Sequence, residues 1–277
     1  MRAIRDFFVA VFNWIFQVQV KPVKIGGHCY MPLFYNISGS IKMSWDYLRF
    51  PDSEKKLIRK QIKAGAASGE TPAICFCLTP EGSNGGLMLN NMLSVSDDAL
   101  DWLELECKAL VRDGIAVFPC LYVDDSIPRW WDIEKHAAIW TRVHGRICKY
   151  VTGYILSIET NEAANSKAHI EGCINAMRAY MPGVAFYGTH LQWKSGGQYS
   201  WTGGSSTPTN ANIILAEYSW NPHNNVGIQA FKNQYNEIVQ ANLILKWVSH
   251  EYYVDFGSAF VKEAKKFQRA QGAWGVG

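Results

Sequence analysis

The stretch YILSIETNEAAN, residues 154–165, starts as an apolar strand and ends in a polar turn. Two carboxylates, Glu159 and Glu162, and the amide of Asn161 stand at its polar end. Strands this apolar are usually covered on both faces, as in a parallel sheet flanked by helices. A purely structural strand has no need of an acidic pair where it stops. We therefore expect this edge of the sheet to carry chemistry.

Apolar runs of this kind recur along the chain and alternate with amphipathic helical patterns. Helix start signals precede several of those patterns, such as Pro51 followed by Asp52. Alternating strands and helices predict parallel strands joined by right-handed crossovers. Eight such strands close into a (β/α)8 barrel, which is the predicted fold. The predicted strands are residues 28–35, 73–78, 115–123, 154–159, 184–191, 212–219, 243–253 and 272–276.

The whole chain, residues 1–277, is predicted to form one barrel domain. Its length suits a fold that typically uses about 250 residues, and no linker divides the sequence. Residues 1–27 are a predicted N-terminal extension, either a helix or a hairpin, that helps to cover the barrel. The sequence ends just after the eighth predicted strand, so the barrel is expected to lack a C-terminal eighth helix. Residues 192–210, rich in Gly, Ser and Thr, predict a long loop after the fifth strand.

The composition argues against several classes of partner and cofactor. A net charge of +3 without a cluster of Lys and Arg argues against nucleic acid. The apolar N-terminus is interrupted by Asp6 and Asn13 and is too short to span a bilayer, so a membrane is not an expected partner. A helix that lies on a membrane surface stays open as an alternative. The sequence has neither a Walker-type phosphate loop nor a GxSxG elbow, so no nucleotide cofactor is expected.

Seven cysteines lie mostly within predicted strands and helices. Their odd number and their apolar surroundings predict buried free thiols, which suit a reducing compartment and favour the cytoplasm over secretion. The CFC motif at residues 75–77 has no matching Cys or His pair, so zinc is not expected. The sequence gives no indication of the oligomeric state.

Active sites of such barrels lie at the C-terminal ends of the strands. Polar and aromatic side chains stand at or just beyond several of the predicted strand ends. Aromatic faces there could stack on the apolar faces of sugar rings. The residues singled out are Asn161 and Glu162 after strand four, His190 on strand five, Tyr218 near the end of strand six, Trp220 just after strand six, Glu251 on strand seven, and Trp274 on strand eight.

Asn161-Glu162 at the end of strand four and Glu251 at the end of strand seven resemble the clan A glycoside hydrolases. That clan has a (β/α)8 fold and hydrolyses glycosides with retention of configuration. The resemblance implies that Glu162 is the acid/base and Glu251 the nucleophile, acting on a β-linked oligo- or polysaccharide. It also implies substrate-binding roles for His190, Tyr218 and Trp274. The sequence departs from the usual pattern at Ala163, where many members have proline.

The residue types fit this chemistry. Retaining hydrolysis needs two carboxyl groups about 5–5.5 Å apart, one to protonate the leaving oxygen and one to attack the anomeric carbon. Asn161 would bind the sugar hydroxyl next to that carbon, and Trp220 would stack on a sugar ring. Alternation along a straight strand does not decide between Glu159 and Glu162 as the acid/base. The outer position of Glu162 favours it.

Two other functions stay open. His190, His223 and His250 lie near predicted strand ends and could bind a divalent metal together with Glu162 or Glu251, giving a metal-dependent hydrolase. The first strand lacks the His-x-His pair of many such barrels, so the main hypothesis has no metal. The third possibility is a barrel that binds carbohydrate without hydrolysing it.

Overall fold

The computed structural model describes residues 28–79, 95–122, 133–158, 160, 166–193, 208–218, 228–229, 232–233, 235–236, 246–250 and 259–276. Eight parallel strands within these residues close into a barrel, and the last strand pairs with the first. This confirms the predicted (β/α)8 fold. The predictions for residues 1–27 and for most of the loop at 192–210 lie outside the described residues. The strands are β1 (His28–Tyr30), β2 (Glu70–Cys77), β3 (Ala116–Tyr122), β4 (Gly153–Ser157), β5 (Phe186–Trp193), β6 (Ile213–Tyr218), β7 (Lys246–His250) and β8 (Gly275–Val276).

The pairing of the strands is staggered around the barrel. The stagger can be followed from Gly275 on β8 to its register partner on β1, and then from partner to partner across β2 to β7. One full circuit arrives back on β8 eight residues before Gly275. A stagger of this size is the shear of (β/α)8 barrels, in which the strands tilt by about 36°. Because all eight strands run in the same direction, their C-terminal ends meet at one rim.

Five helices with described bounds pack around the strands, and their ends follow signals in the sequence. The hydroxyls of Ser96 and Ser166 cap two helix N-termini by accepting hydrogen bonds from backbone N–H groups three residues on. Gly114, with φ of 75°, follows the end of one helix, where the left-handed conformation favours glycine. No described helix is long and apolar enough to cross a membrane. The helices are α1 (Asp52–Gly65), α2 (Asp97–Arg112), α3 (Ala137–Ile147), α4 (Lys167–Tyr180) and α5 (Ala259–Ala270).

Large and small residues fit together inside the barrel. The ring of Trp274 packs against Phe186 and Phe118, with centroids 4.9 Å and 6.2 Å away. Gly153 leaves room for this group, because a Cβ at that position would lie 2.7 Å from the Cβ of Phe186. Such complementary packing makes the barrel interior a solid core instead of a channel.

The first predicted strand is wrong at its C-terminal end. β1 stops at Tyr30, and residues up to 35 do not extend it. Phe34–Ile37 instead pairs antiparallel with Ser40–Met43. The two residues between them, Ser38 and Gly39, have φ of 53° and 81°, as a type I′ hairpin turn requires. A 3-10 helix, Ser44–Arg49, then leads the chain back to the barrel.

The cysteines occupy the positions that the sequence predicts. Six of the seven are buried, and Cys148 is exposed. Cys29, Cys75, Cys77 and Cys120 belong to the core inside the barrel. These thiols therefore act as small apolar side chains that fill the interior.

Candidate active site at the C-terminal rim

The pairing of β5, β6 and β7 brings three polar residues to neighbouring positions at the rim. Gln192 is the register partner of Glu217, and Glu217 is in turn the partner of His250. Tyr218 is the last residue of β6, so its backbone lies at the strand end where the sequence predicts it. β7 ends at His250, one residue before Glu251 in the sequence.

The end of β4 is a turn bonded to the strands on both sides. β4 stops at Ser157, and the N–H of Ile158 donates to the carbonyl of Tyr122 on β3 at 3.4 Å. The N–H of Thr160 donates to the carbonyl of His190 on β5 at 3.0 Å. The predicted strand, residues 154–159, therefore has its end too late, because β4 stops at Ser157. Alternation along a strand consequently carries no information about the directions of Glu159 and Glu162.

His190 lies in the barrel interior beneath the rim. Its side chain has no exposed surface, and its ring meets the indole of Trp45 edge to face at 5.6 Å between centroids. Burial lowers the pKa of His190 to about 3, so the imidazole is neutral at pH 7. A neutral imidazole orients its neighbours by hydrogen bonding and packing, without contributing a charge.

Trp274 stands at the opposite end of the barrel from the predicted one. It precedes β8 instead of ending it, and its carbonyl accepts a hydrogen bond from the N–H of Cys29 at 2.6 Å. Its neighbour Phe186 is the first residue of β5. The indole is 5% exposed. The expectation that Trp274 binds substrate at the rim is therefore wrong, because the residue belongs to the core at the strand starts.

Several of the predicted site residues lie partly or wholly outside the described part of the chain. For Tyr218 and His250 only the backbone is described. In the described ranges, no group of three or more His, Cys, Asp or Glu side chains could hold a metal ion. The residues that lie outside the described part of the chain are Glu159, Asn161, Glu162, Trp220, His223 and Glu251.

Three residues near the rim were not singled out from the sequence. Trp45 reaches the barrel interior from the 3-10 helix, and Thr160 and Thr189 hydrogen-bond to each other through their hydroxyls. All three side chains are buried, with exposures of 2%, 2% and 0%. For the two threonines, the sequence offers one signal, namely a polar residue near the end of a strand. Many surface turns have the same feature, so it does not single these residues out.

Comparison with known proteins shows which folds this chain is similar to. No protein-family profile and no curated protein matches the sequence. A glycoside hydrolase family 5 enzyme from Prevotella bryantii has a TM-score of 0.56 at 10% identity, over 94% of this chain and 89% of that one. The endoglucanase Cel5A from Pseudomonas stutzeri has a TM-score of 0.58 at 12% identity, over 79% of this chain and 75% of that one.

A third solved structure is an exo-β-1,4-mannosidase from an Opitutaceae bacterium. Its TM-score is 0.61 at 13% identity, over 90% of this chain and 51% of that one. Sequence identities this low say nothing about shared residues, whereas the TM-scores and the coverage describe a common backbone. The chain therefore has the (β/α)8 fold of these glycoside hydrolases.

Proposed function

We propose that this protein is a retaining glycoside hydrolase that acts on a β-linked oligo- or polysaccharide. One observation carries the proposal. β4 and β7, the strands that lead to Glu162 and Glu251, are separated by only β5 and β6 in the closed barrel, and both end at the same rim. Two residues that follow these strands can approach each other over the barrel mouth, where such enzymes have their active sites.

The two glutamates have different roles in the proposed mechanism. Glu251 attacks the anomeric carbon, and a covalent glycosyl-enzyme forms as the bond to the leaving oxygen breaks. Glu162 gives its proton to that oxygen in this step. In the second step Glu162 takes a proton from water, and the water oxygen displaces Glu251 from the sugar.

Polar and aromatic neighbours complete the proposed site. Asn161 binds the sugar hydroxyl next to the anomeric carbon, Tyr218 donates a hydrogen bond to Glu251, and Trp220 stacks on a sugar ring. His190 is buried, and we assign it a supporting role beneath the site in place of the direct contact that the resemblance implies. Solved structures with the same fold include an endoglucanase and an exo-β-1,4-mannosidase, which supports carbohydrate as the substrate class.

Turnover of a panel of β-linked polysaccharides and oligosaccharides tests the proposal. The wild type should release reducing sugar from at least one member. Glu162→Gln and Glu251→Gln should each lower kcat by about 10²-fold or more, because each removes a group that reacts in the transition state. NMR of the first product should show the same anomeric configuration as the substrate.

Glu263→Gln is the matched control. Glu263 lies on α5, has a 51% exposed side chain and forms a surface ion pair with Lys232, so its loss should leave turnover unchanged. A barrel that binds carbohydrate without hydrolysing it would give binding by calorimetry but no turnover in the wild type. Full activity in Glu162→Gln and Glu251→Gln would refute the assignment of the two carboxylates.

Treatment with a chelator separates the proposal from a metal-dependent hydrolase. The two-carboxylate mechanism requires no metal, so EDTA should leave the rate of hydrolysis unchanged. A site built from His190, His223 and His250 would lose its metal and its activity together, and added Zn²⁺ or Mn²⁺ would restore both.

A further inference from the structure

Two buried threonines tie the end of β4 to β5. The hydroxyl of Thr160 donates to the carbonyl of Ser157 at 3.1 Å and is hydrogen-bonded to the hydroxyl of Thr189. A hydroxyl has one proton, and that of Thr160 goes to the Ser157 carbonyl. Thr189 is therefore the donor in the pair, and the bonds run from Thr189 through Thr160 to Ser157.

A backbone hydrogen bond acts alongside this chain of hydroxyls. The N–H of Thr160 donates to the carbonyl of His190, the residue after Thr189. Thr160 is thus held to β5 by its main chain and its side chain at once. Both threonine side chains are at least 98% buried, so water does not compete for these bonds. Buried hydrogen bonds of this kind fix one geometry, because a lost partner leaves a polar atom unsatisfied.

The position of Thr160 in the chain connects this arrangement to catalysis. Asn161 and Glu162 are the next two residues, and consecutive Cα atoms are only about 3.8 Å apart. A shift at Thr160 is therefore passed on to the proposed acid/base, and displacement of a reacting group by about 1 Å can cost about 10²-fold in rate. A residue without a hydroxyl at position 160 keeps the main-chain bond to His190 but loses the side-chain bonds to Thr189 and Ser157.

We propose that Thr160 and Thr189 are positioning residues that set the point from which the acid/base Glu162 reaches the substrate. This inference rests on the proposed function. The inference goes beyond the proposed function because it assigns a role to two side chains that touch neither substrate nor the reacting atoms.

The test compares aryl glycosides that differ only in the leaving group. A phenyl glycoside needs a proton from the acid/base as its bond breaks, whereas a 2,4-dinitrophenyl glycoside leaves without one. Thr160→Val and Thr189→Val keep the side-chain shape and remove the hydroxyls. Each should lower kcat/KM about tenfold or more for the phenyl glycoside and less than about twofold for the dinitrophenyl glycoside. Thr160→Ser and Thr189→Ser should restore the wild-type ratio.

Thr152→Val is the matched control. The Thr152 hydroxyl is also buried and accepts a hydrogen bond from the N–H of Val117 at 3.3 Å, but it precedes β4 at the other end of the barrel. Its loss should destabilise the fold as the loss of the other two hydroxyls does, and it should leave the ratio of the rates on the two glycosides unchanged. Equal losses on both glycosides in the Thr160 and Thr189 variants, or a change in ratio for Thr152→Val, would overturn the inference.

Failure of the proposed function gives a different result. A wild type that cleaves no member of the β-linked panel, or a Glu162→Gln variant with full activity on the phenyl glycoside, would overturn the proposed function and this inference with it. An active wild type that depends on Glu162, with unaltered Thr160→Val and Thr189→Val variants, would overturn the positioning role alone.

Discussion

The indole of Trp45 meets the imidazole of His190 edge to face, with the ring planes at 88° and the centroids 5.6 Å apart. His190 lies on β5, and Trp45 enters from the segment that follows β1. β1 and β5 are opposite each other in the closed barrel, four strands apart in either direction. The contact therefore crosses the barrel interior beneath the rim. It joins the 3-10 helix that follows the hairpin to β5 on the opposite side of the barrel.

Replacement of Trp45 should weaken both stability and activity. Trp45→Ala removes a side chain that is 98% buried and should lower the free energy of unfolding by about 3–5 kcal/mol, measured by urea denaturation. Trp45→Phe should retain the fold and lower kcat/KM by about tenfold, because the smaller ring leaves a gap beside His190 beneath the site. Trp140→Phe is the control, since Trp140 is equally buried but bonds to Tyr122 on the helical side. Equal activity losses in the two Phe variants would contradict the prediction.

His190 should make the protein sensitive to acid. Burial lowers its pKa from 6.5 to about 3, so below pH 6.5 the unfolded chain binds a proton that the folded chain does not. Stability is thus lost as the pH falls through this window. In His190→Gln, the dependence of the unfolding free energy on pH should be shallower by up to about 1.4 kcal/mol per pH unit between about pH 6 and pH 4. Parallel curves for the variant and the wild type would refute this.

Lys55 and Glu106 form a buried ion pair that joins α1 to α2. Their charged atoms are 2.8 Å apart, the side chains are 3% and 11% exposed, and the Lys55 ammonium lies 4.7 Å from the centre of the Trp102 ring. Lys55→Met leaves the Glu106 carboxylate without its partner and should cost about 3–5 kcal/mol. Lys55→Met with Glu106→Leu should cost less than Lys55→Met alone, as a double-mutant cycle in urea would show. Additive losses would mean that the two charges do not interact.

Gly188 should be irreplaceable, whereas glycines on two helices should not be. A Cβ at Gly188 would overlap the carbonyl oxygen of Ile213 and force β5 and β6 apart. Gly188→Ala should therefore cost more than about 3 kcal/mol or abolish soluble expression. Gly145 on α3 and Gly172 on α4 have nothing within 4 Å of the added carbon, and alanine there should stabilise by about 0.5–1 kcal/mol. Thermal melting of the three variants tests both outcomes.

The eight strands could be predicted because each is a continuous apolar run between turn or helix signals. The hairpin could not be separated from β1 by the same reasoning, since residues 28–35 form one apolar run. Two local signals point to the hairpin, namely Pro32, which disfavours a continuing central strand, and the Ser38-Gly39 pair, which suits a tight turn. The prediction for Trp274 is wrong because the predicted eighth strand starts three residues before β8 does.

The sequence predicts residues of the candidate site only where they lie at the end of a strand. Tyr218 and His250 end β6 and β7, because an apolar run gives way to polar residues there. The contact of Trp45 with His190 and the bond between Thr160 and Thr189 join residues far apart in the sequence. Such contacts depend on the closure and stagger of the barrel, which a single sequence does not encode as a local pattern.

The pairing of β1 with β8 has a consequence for folding. Cys29 pairs with Gly275, and the nearby Arg269 and Glu70 form an ion pair at 2.6 Å, so the seam joins residues that are far apart in the sequence. Until β8 takes its place between them, β1 and β7 each present an open edge that another strand could pair with. Closure of the barrel therefore removes these two sites of aggregation in a single step.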